Sequence, residues 1–252
     1  MKSLWTILAI WVVSTQVVFA NIYKIQGANP NLTFVYKGEG FTDAHKQRIE
    51  NIAVIAERDV RLFFPEMNKN INFTVSTMDV DLSMVGHATG MALRHTGTAE
   101  VQLRLSTFEG ASLDVAINDG LRSLLLHELH HVARGWAIED NRFPYGIYIA
   151  AVNEGLAVVF AELLTGNAYD GNIGPADVDT WVDEILALPQ DANYNKWVSG
   201  FHPDGRGAIG YKTGRYIIYK ALVEGDKNIV QLSKMSIHDI LKEAGIKPPK
   251  QD

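Results

Sequence analysis

Apolar residues between Thr42 and Pro65 recur every three or four positions: Ile49, Ile52, Ala53, Ala56, Val60 and Phe63. This is the period of a helix with one buried stripe, and Thr42 and Pro65 supply its start and stop signals. On either side the period shortens. Residues 31–36 and 71–76 carry β-branched and aromatic side chains and read as short strands. In residues 99–105, Val101, Leu103 and Leu105 alternate with Gln102 and Arg104, the pattern expected of a half-buried edge strand. From residue 121 onward the helical period returns. A helix beginning at Leu121 has Gly135 at its end, and a second over 147–164 is followed by Gly166; glycine readily takes the left-handed conformation that stops a helix. Amphipathic helices are expected over 178–188, 211–223, 228–234 and 237–244. A small mixed sheet with one helix, two site-bearing helices and then a helical tail predict an α+β fold.

Residues 1–20 follow another pattern. Lys2 precedes an apolar stretch from Leu4 to Val13, Ser14 to Gln16 interrupt it, and Val18 and Ala20 match a signal-peptidase site before Asn21. The uninterrupted run is shorter than the ~20 residues of a spanning helix. We therefore expect a cleaved signal peptide over 1–20, export to a periplasmic or extracellular compartment, and no other segment able to span a bilayer.

Composition narrows the chemistry. A chain of 252 residues, 47% hydrophobic and 21% charged, suits one globular domain. The net charge of −6 and the lack of a dense Lys/Arg run argue against a nucleic-acid partner. With no cysteine, disulfides, thiolate ligands and thiol catalysis drop out, so any metal must be held by His, Asp or Glu. The absence of G-x-S-x-G argues against a serine hydrolase.

The polar exception in this apolar half is the stretch "LLLHELHHVARG", which contains H-E-x-x-H as His127, Glu128 and His131. Positions i and i+4 share a helix face, so the two imidazoles point toward one spot, as two nitrogen ligands of zinc must. Glu128 projects beside that spot, placed to act as general base without being a ligand. His130 could pair with His127 at i, i+3, but the better reading makes it a supporting residue. A catalytic zinc takes three protein ligands and leaves one position open. A third histidine six residues past His131 is excluded, because Ala137 stands there. The following helix offers Glu154, with Glu162 as the competing carboxylate; Gly155 would let that helix approach the first. Asn153, beside Glu154, is a further supporting candidate. Tyr211 and His202, in and near "FHPDGRGAIGYKTG", are candidate donors to a developing oxyanion.

"HELHHVARG" followed by "NEGLAVVFAELLTG" resembles predicted zinc-dependent proteases, and more broadly is similar to gluzincins, metallopeptidases with two histidines and a downstream glutamate. The resemblance covers about residues 121–166 and extends weakly to "GYKTGRYIIYKAL". It implies one Zn2+ per chain on His127, His131 and Glu154, Glu128 as general base, and a peptide or protein substrate. It also implies a zincin-like domain over 21–252, with an α+β part over 21–120 and a helical part over 121–252. Two other readings stay open: a non-catalytic zinc-binding or chaperone-like exported protein, and a zinc hydrolase of a non-peptide amide.

Overall fold

The computed structural model describes residues 29–249; the expected signal peptide lies outside them. Strand β1 (Leu32–Lys37) leads to helix α1 (Asp43–Phe63), then to β2 (Ile71–Met78), β3 (Ala88–Arg94) and β4 (Ala99–Ser106). Helices α2 (Leu113–Asp119), α3 (Leu121–Arg134) and α4 (Ile147–Thr165) follow, then α5 (Val178–Leu186), α6 (Ile209–Glu224), α7 (Ile229–Leu232) and α8 (Ile237–Glu243). The fold is α+β, as expected.

The sheet order is β1-β2-β4-β3, with β1, β2 and β4 parallel and β3 antiparallel to β4. Residues 99–105 are therefore not an edge strand: β4 lies between β2 and β3. Its alternation arises because one face of the sheet is covered, which gives period two at any position in the sheet. The edges are β1 and β3, and the sequence of β3, "ATGMALR", gave no strand signal because Ala and Gly are weak strand formers. Helix α2 also lacks a clear period; Ser112 caps it by accepting from the Asp114 N–H at 3.2 Å.

The caps expected from sequence are present. The Thr42 hydroxyl accepts from the His45 N–H at 3.2 Å, and Gly135 and Gly166 close α3 and α4 in left-handed conformation. One apolar cluster joins Ile49, Ala53 and Val60 of α1 to Phe73 of β2, Leu103 of β4, Leu125 and Leu129 of α3, and Phe160 of α4. A second joins Val152, Leu156 and Val159 of α4 to Ile217 and Ile218 of α6 and Leu241 of α8. Helix α4 is thus packed on both sides.

The expectation that no segment after residue 20 is long and apolar enough to span a bilayer needs correction. By length and composition α4 could cross a membrane, with a mean hydropathy of 1.7 over an 18-residue window. In this fold it is a core helix: 83% of the window is buried, and Asn153, Glu154 and Glu162 are among the buried residues. Gly155 also differs from its expected use. A Cβ there would lie 2.2 Å from the carbonyl carbon of Gly214, and one on Gly214 would lie 1.8 Å from the carbonyl oxygen of Ala151. The glycine lets α4 meet α6 backbone to backbone, rather than α3. We expect Gly155→Ala to force the pair apart and cost about 2–3 kcal/mol, a fall in Tm of roughly 4–12 °C. Thermal unfolding followed by circular dichroism measures it; an unchanged Tm would mean that the crossing has slack.

Candidate metal centre

Helix α3 presents His127 and His131 one turn apart, and α4 brings Glu154 opposite them. The two Nε2 atoms lie 2.9 Å from each other. Glu154 Oε2 lies 3.2 Å from Nε2 of His127 and 3.1 Å from Nε2 of His131. Three lone-pair atoms therefore face a common point. Ligand atoms bound tetrahedrally to one zinc at ~2.0–2.1 Å stand about 3.3 Å apart, so the donor set and spacing fit that ion. His131 and Glu154 are buried, while His127 keeps 12% of its side chain exposed.

The other carboxylate oxygen of Glu154 is occupied. Trp136 Nε1–H donates to Oε1 at 2.9 Å and the Tyr194 hydroxyl donates at 3.2 Å, which leaves Oε2 for the histidines. Burial alone would raise the Glu154 carboxyl, but the charges and hydrogen bonds of His131 and His127 outweigh it and hold the group well below the usual carboxylate range. The same neighbourhood acts oppositely on Tyr194: burial, then the Glu154 charge, raise its phenol so that it stays a donor. Neither Trp136 nor Tyr194 was legible as a site residue. Trp136 follows the Gly135 turn, and Tyr194 opens a π-helical turn over Asn195–Ser199, a feature that often accompanies functional sites. The segment before Tyr194 is held by the Tyr145 hydroxyl donating to the Ala192 carbonyl at 2.9 Å.

Glu128 lies under the edge strand. Gly90 makes room for it, since a Cβ there would lie 3.1 Å from Glu128 Oε1 and 2.6 Å from the Gln102 carbonyl oxygen. Burial, opposed by the His127 charge and reinforced by the Glu154 charge, pushes the Glu128 carboxyl up to about 7, although Ala92 donates a backbone hydrogen bond to it. Its Oε2 is buried with no hydrogen-bond partner among the described residues.

The remaining candidates separate. Tyr211 stacks on His127, centroids 6.2 Å apart, and its phenol is raised by burial and by the Glu154 charge. His202 is placed elsewhere: its Nδ1 lies 2.8 Å from Asp204 Oδ2 and its ring packs against Trp197. It is not among the lining residues of either cavity beside the site. His130 turns away from the triad. Its Nε2 lies 2.8 Å from the Ser233 hydroxyl, Phe64 and Phe160 flank its ring, and burial holds it neutral. Asn153 accepts from Arg134 Nε at 2.6 Å and so ties α4 to the end of α3. Glu162 is held by Arg215 and Tyr219, away from the histidines.

Two cavities of about 520 and 550 Å³ adjoin the centre and share Thr89, Gly90, His127, Glu128, Ser199 and Tyr211 in their walls. Comparison with known proteins adds a family: the model of a family described as "Predicted Zn-dependent protease (DUF2268)" matches residues 111–242. No curated protein and no solved structure matches the chain. The matched span includes α3, α4 and α6, and with them the triad, Glu128 and Tyr211.

The hold on Glu154 Oε1 yields a measurable consequence. Joint replacement Trp136→Phe and Tyr194→Phe should weaken zinc affinity by roughly 10- to 100-fold, read by competition with a chromophoric chelator. Glu162→Gln should leave affinity unchanged and His127→Ala should abolish it. Equal affinities in the double variant and the wild type would show that Oε1 needs no anchor.

Proposed function

The chain belongs to the family of predicted Zn-dependent proteases (DUF2268), and on that premise we propose that it is a zinc metallopeptidase of gluzincin type. His127, His131 and Glu154 would hold one ion, and the observation that carries the reading is the buried Glu128 carboxyl beside them, free at one oxygen. When bound, zinc supplies Lewis acidity toward a carbonyl oxygen and toward a water. The chain's residues do the rest. Glu128, with a carboxyl near neutrality, is matched to take a proton from the attacking water and return it to the leaving amine nitrogen. Tyr211, beside His127 and kept protonated, is the candidate donor to the oxyanion. His202, paired with Asp204, is the weaker candidate for that role.

A peptide is favoured over a small amide by the outer edge of β3 at Gly90, short of Ala92 and Leu93, whose carbonyls already accept from Ile138 and Glu139. The His87 carbonyl accepts from the Ser106 N–H, so it faces the sheet, whereas the Ala92 carbonyl accepts from the Ile138 N–H, so it faces away. Alternation along the strand then turns the N–H and carbonyl of Gly90 outward, where Gly90 lines both cavities. An extended peptide can add to such an edge and present its backbone to Glu128. Export with cleavage between Ala20 and Asn21 belongs to the same proposal and is supported by the sequence of residues 1–20 alone.

Glu128→Gln is expected to retain zinc at wild-type stoichiometry while lowering peptide hydrolysis by about 10²–10⁴-fold. Metal content and turnover of a fluorogenic peptide mixture are measured on the same sample. Loss of the metal would recast Glu128 as a ligand, and undiminished turnover would remove it from the mechanism.

A further inference from the structure

One of the two openings beside the candidate metal centre has a feature that zinc chemistry leaves unexplained. Phe201 is 86% exposed, and across the mouth of the 520 Å³ cavity Met84 is 60% exposed. Water-facing aromatics of this kind are usually found on mobile loops, yet Phe201 stands on a tightly held one. It bridges to Gly207, the His202 N–H donates to the Arg206 carbonyl at 2.7 Å, and the Ala208 N–H donates to the Gly200 carbonyl at 3.0 Å. Arg206 anchors the loop through Glu184 and Asp204, with its guanidinium over the rings of Trp181 and Trp197. Ala208 adopts a left-handed φ of 52°, a strained choice for a residue with a Cβ. Gly207 is shaped to the ring itself: a Cβ there would lie 3.0 Å from the Phe201 ring. The fold thus fixes a bare aromatic ring at the entrance to the site.

Behind that rim the cavity is lined by Leu82, Leu124, Val158 and Ala161, and it opens onto His127, Glu128 and Tyr211. Three carboxylates border it: Glu128 belongs to the reaction site, Glu162 is ion-paired with Arg215, and Asp81 stands exposed at the rim. Glu162 accepts from Arg215 Nε at 2.9 Å and from the Tyr219 hydroxyl at 2.8 Å. Asp81 accepts from the Ser83 N–H at 2.9 Å. A charged side chain lodged among Leu82, Leu124, Val158 and Ala161 would lose water against an apolar wall, whereas an apolar one would gain contact with it.

We propose that this cavity is a specificity pocket for one bulky apolar side chain of the substrate, adjacent to the bond that is cut, with Phe201 and Met84 gripping it at the rim. The proposal rests on the zinc-peptidase reading for the meaning of the cut bond, but binding tests it separately. In the Glu128→Gln protein, loaded with zinc, fluorescence anisotropy gives Kd for labelled hexapeptides that differ at one central position. Leu and Phe should bind at least 10-fold more tightly than Gly, Asp or Lys, and Phe201→Ser added to this protein should shrink the advantage to below 3-fold. Both rim residues are exposed, so Met84→Ser offers an independent variant with the same expected direction. Equal Kd values across the series, or preference for Lys, would overturn the pocket even if peptides are cut. In the active protein, cleavage sites in a peptide library, read by mass spectrometry, should carry Leu, Ile, Met, Phe or Tyr at one fixed side of the cut bond. There Phe201→Ser should raise KM with kcat changed less than 2-fold. Apolar-selective binding without any cleavage would keep the pocket and overturn the peptidase reading; cleavage without apolar enrichment would do the reverse.

Discussion

The centre depends on keeping a carboxylate charged inside an apolar helix. Glu154 lies in α4, among the most hydrophobic segments of the chain, with 4% of its surface exposed. An ionised carboxylate there is tolerable only if its oxygens are matched by donors or cations. The two oxygens are matched separately. Oε1 receives the Trp136 and Tyr194 hydrogens, and Oε2 is left to the two histidines. The same division decides what the site can do, because a carboxylate pinned at one oxygen presents a single ligand atom to an ion. Stability and coordination are then consequences of one arrangement.

The arrangement also explains the packing of α6. Its glycine at 214 meets Gly155, one residue beyond Glu154, and no side chain intervenes. Helices normally pack 8–10 Å apart with side chains between them; removing those side chains brings α6 close enough to place Tyr211 against His127. The small residues therefore serve geometry at the site, and the apolar residues on the neighbouring turns, Ile217 and Ile218 on α6 and Val152, Leu156 and Val159 on α4, supply the burial that holds the crossing closed.

How much of this was legible depended on whether a residue's role agreed with its local pattern. Helices α1, α3 and α4 announce themselves by period and by Thr42, Gly135 and Gly166, and His127, Glu128, His131 and Glu154 stand in fixed register on two of them. Strand β3 was hidden because the site overrides propensity: Gly90 must be small for Glu128 to fit beneath it, so the strand forgoes the β-branched residues that mark its neighbours. Trp136 and Tyr194 were hidden for a different reason. They come from a turn and a π-helical segment, where no period relates their position to Glu154, and only the tertiary fold brings them to it. The one available signal was indirect: a buried carboxylate on an apolar helix needs donors, and Trp and Tyr are the aromatics that carry them. The edge-strand assignment of residues 99–105 failed because alternation reports a single covered face and says nothing of how many strands lie on either side.

The extra histidine in the motif meets the same constraint at one nitrogen: Nε2 has a partner in Ser233, while Nδ1 is buried with none among the described residues. His127, His130 and His131 are close in sequence, yet the helix turns 100° per residue, so His130 cannot share the direction of both neighbours. It points instead between Phe64 of the α1 end and Phe160 of α4, and reaches Ser233 at the end of α7. Ser233 donates to the Ile229 carbonyl, so its oxygen is an acceptor for the His130 Nε2 hydrogen, which fixes the tautomer of a ring that burial keeps neutral. Arg134, one turn further along α3, donates to the Ser233 and Met235 carbonyls and to Asn153. The face of α3 away from the triad is thereby bonded to α4 and to the helical tail, and this backing holds His127 and His131 in place. Three histidines in five positions thus follow from one helix serving two sides, one where the His127 and His131 Nε2 atoms face Glu154 and one where His130 packs against Phe64 and Phe160 and bonds to Ser233.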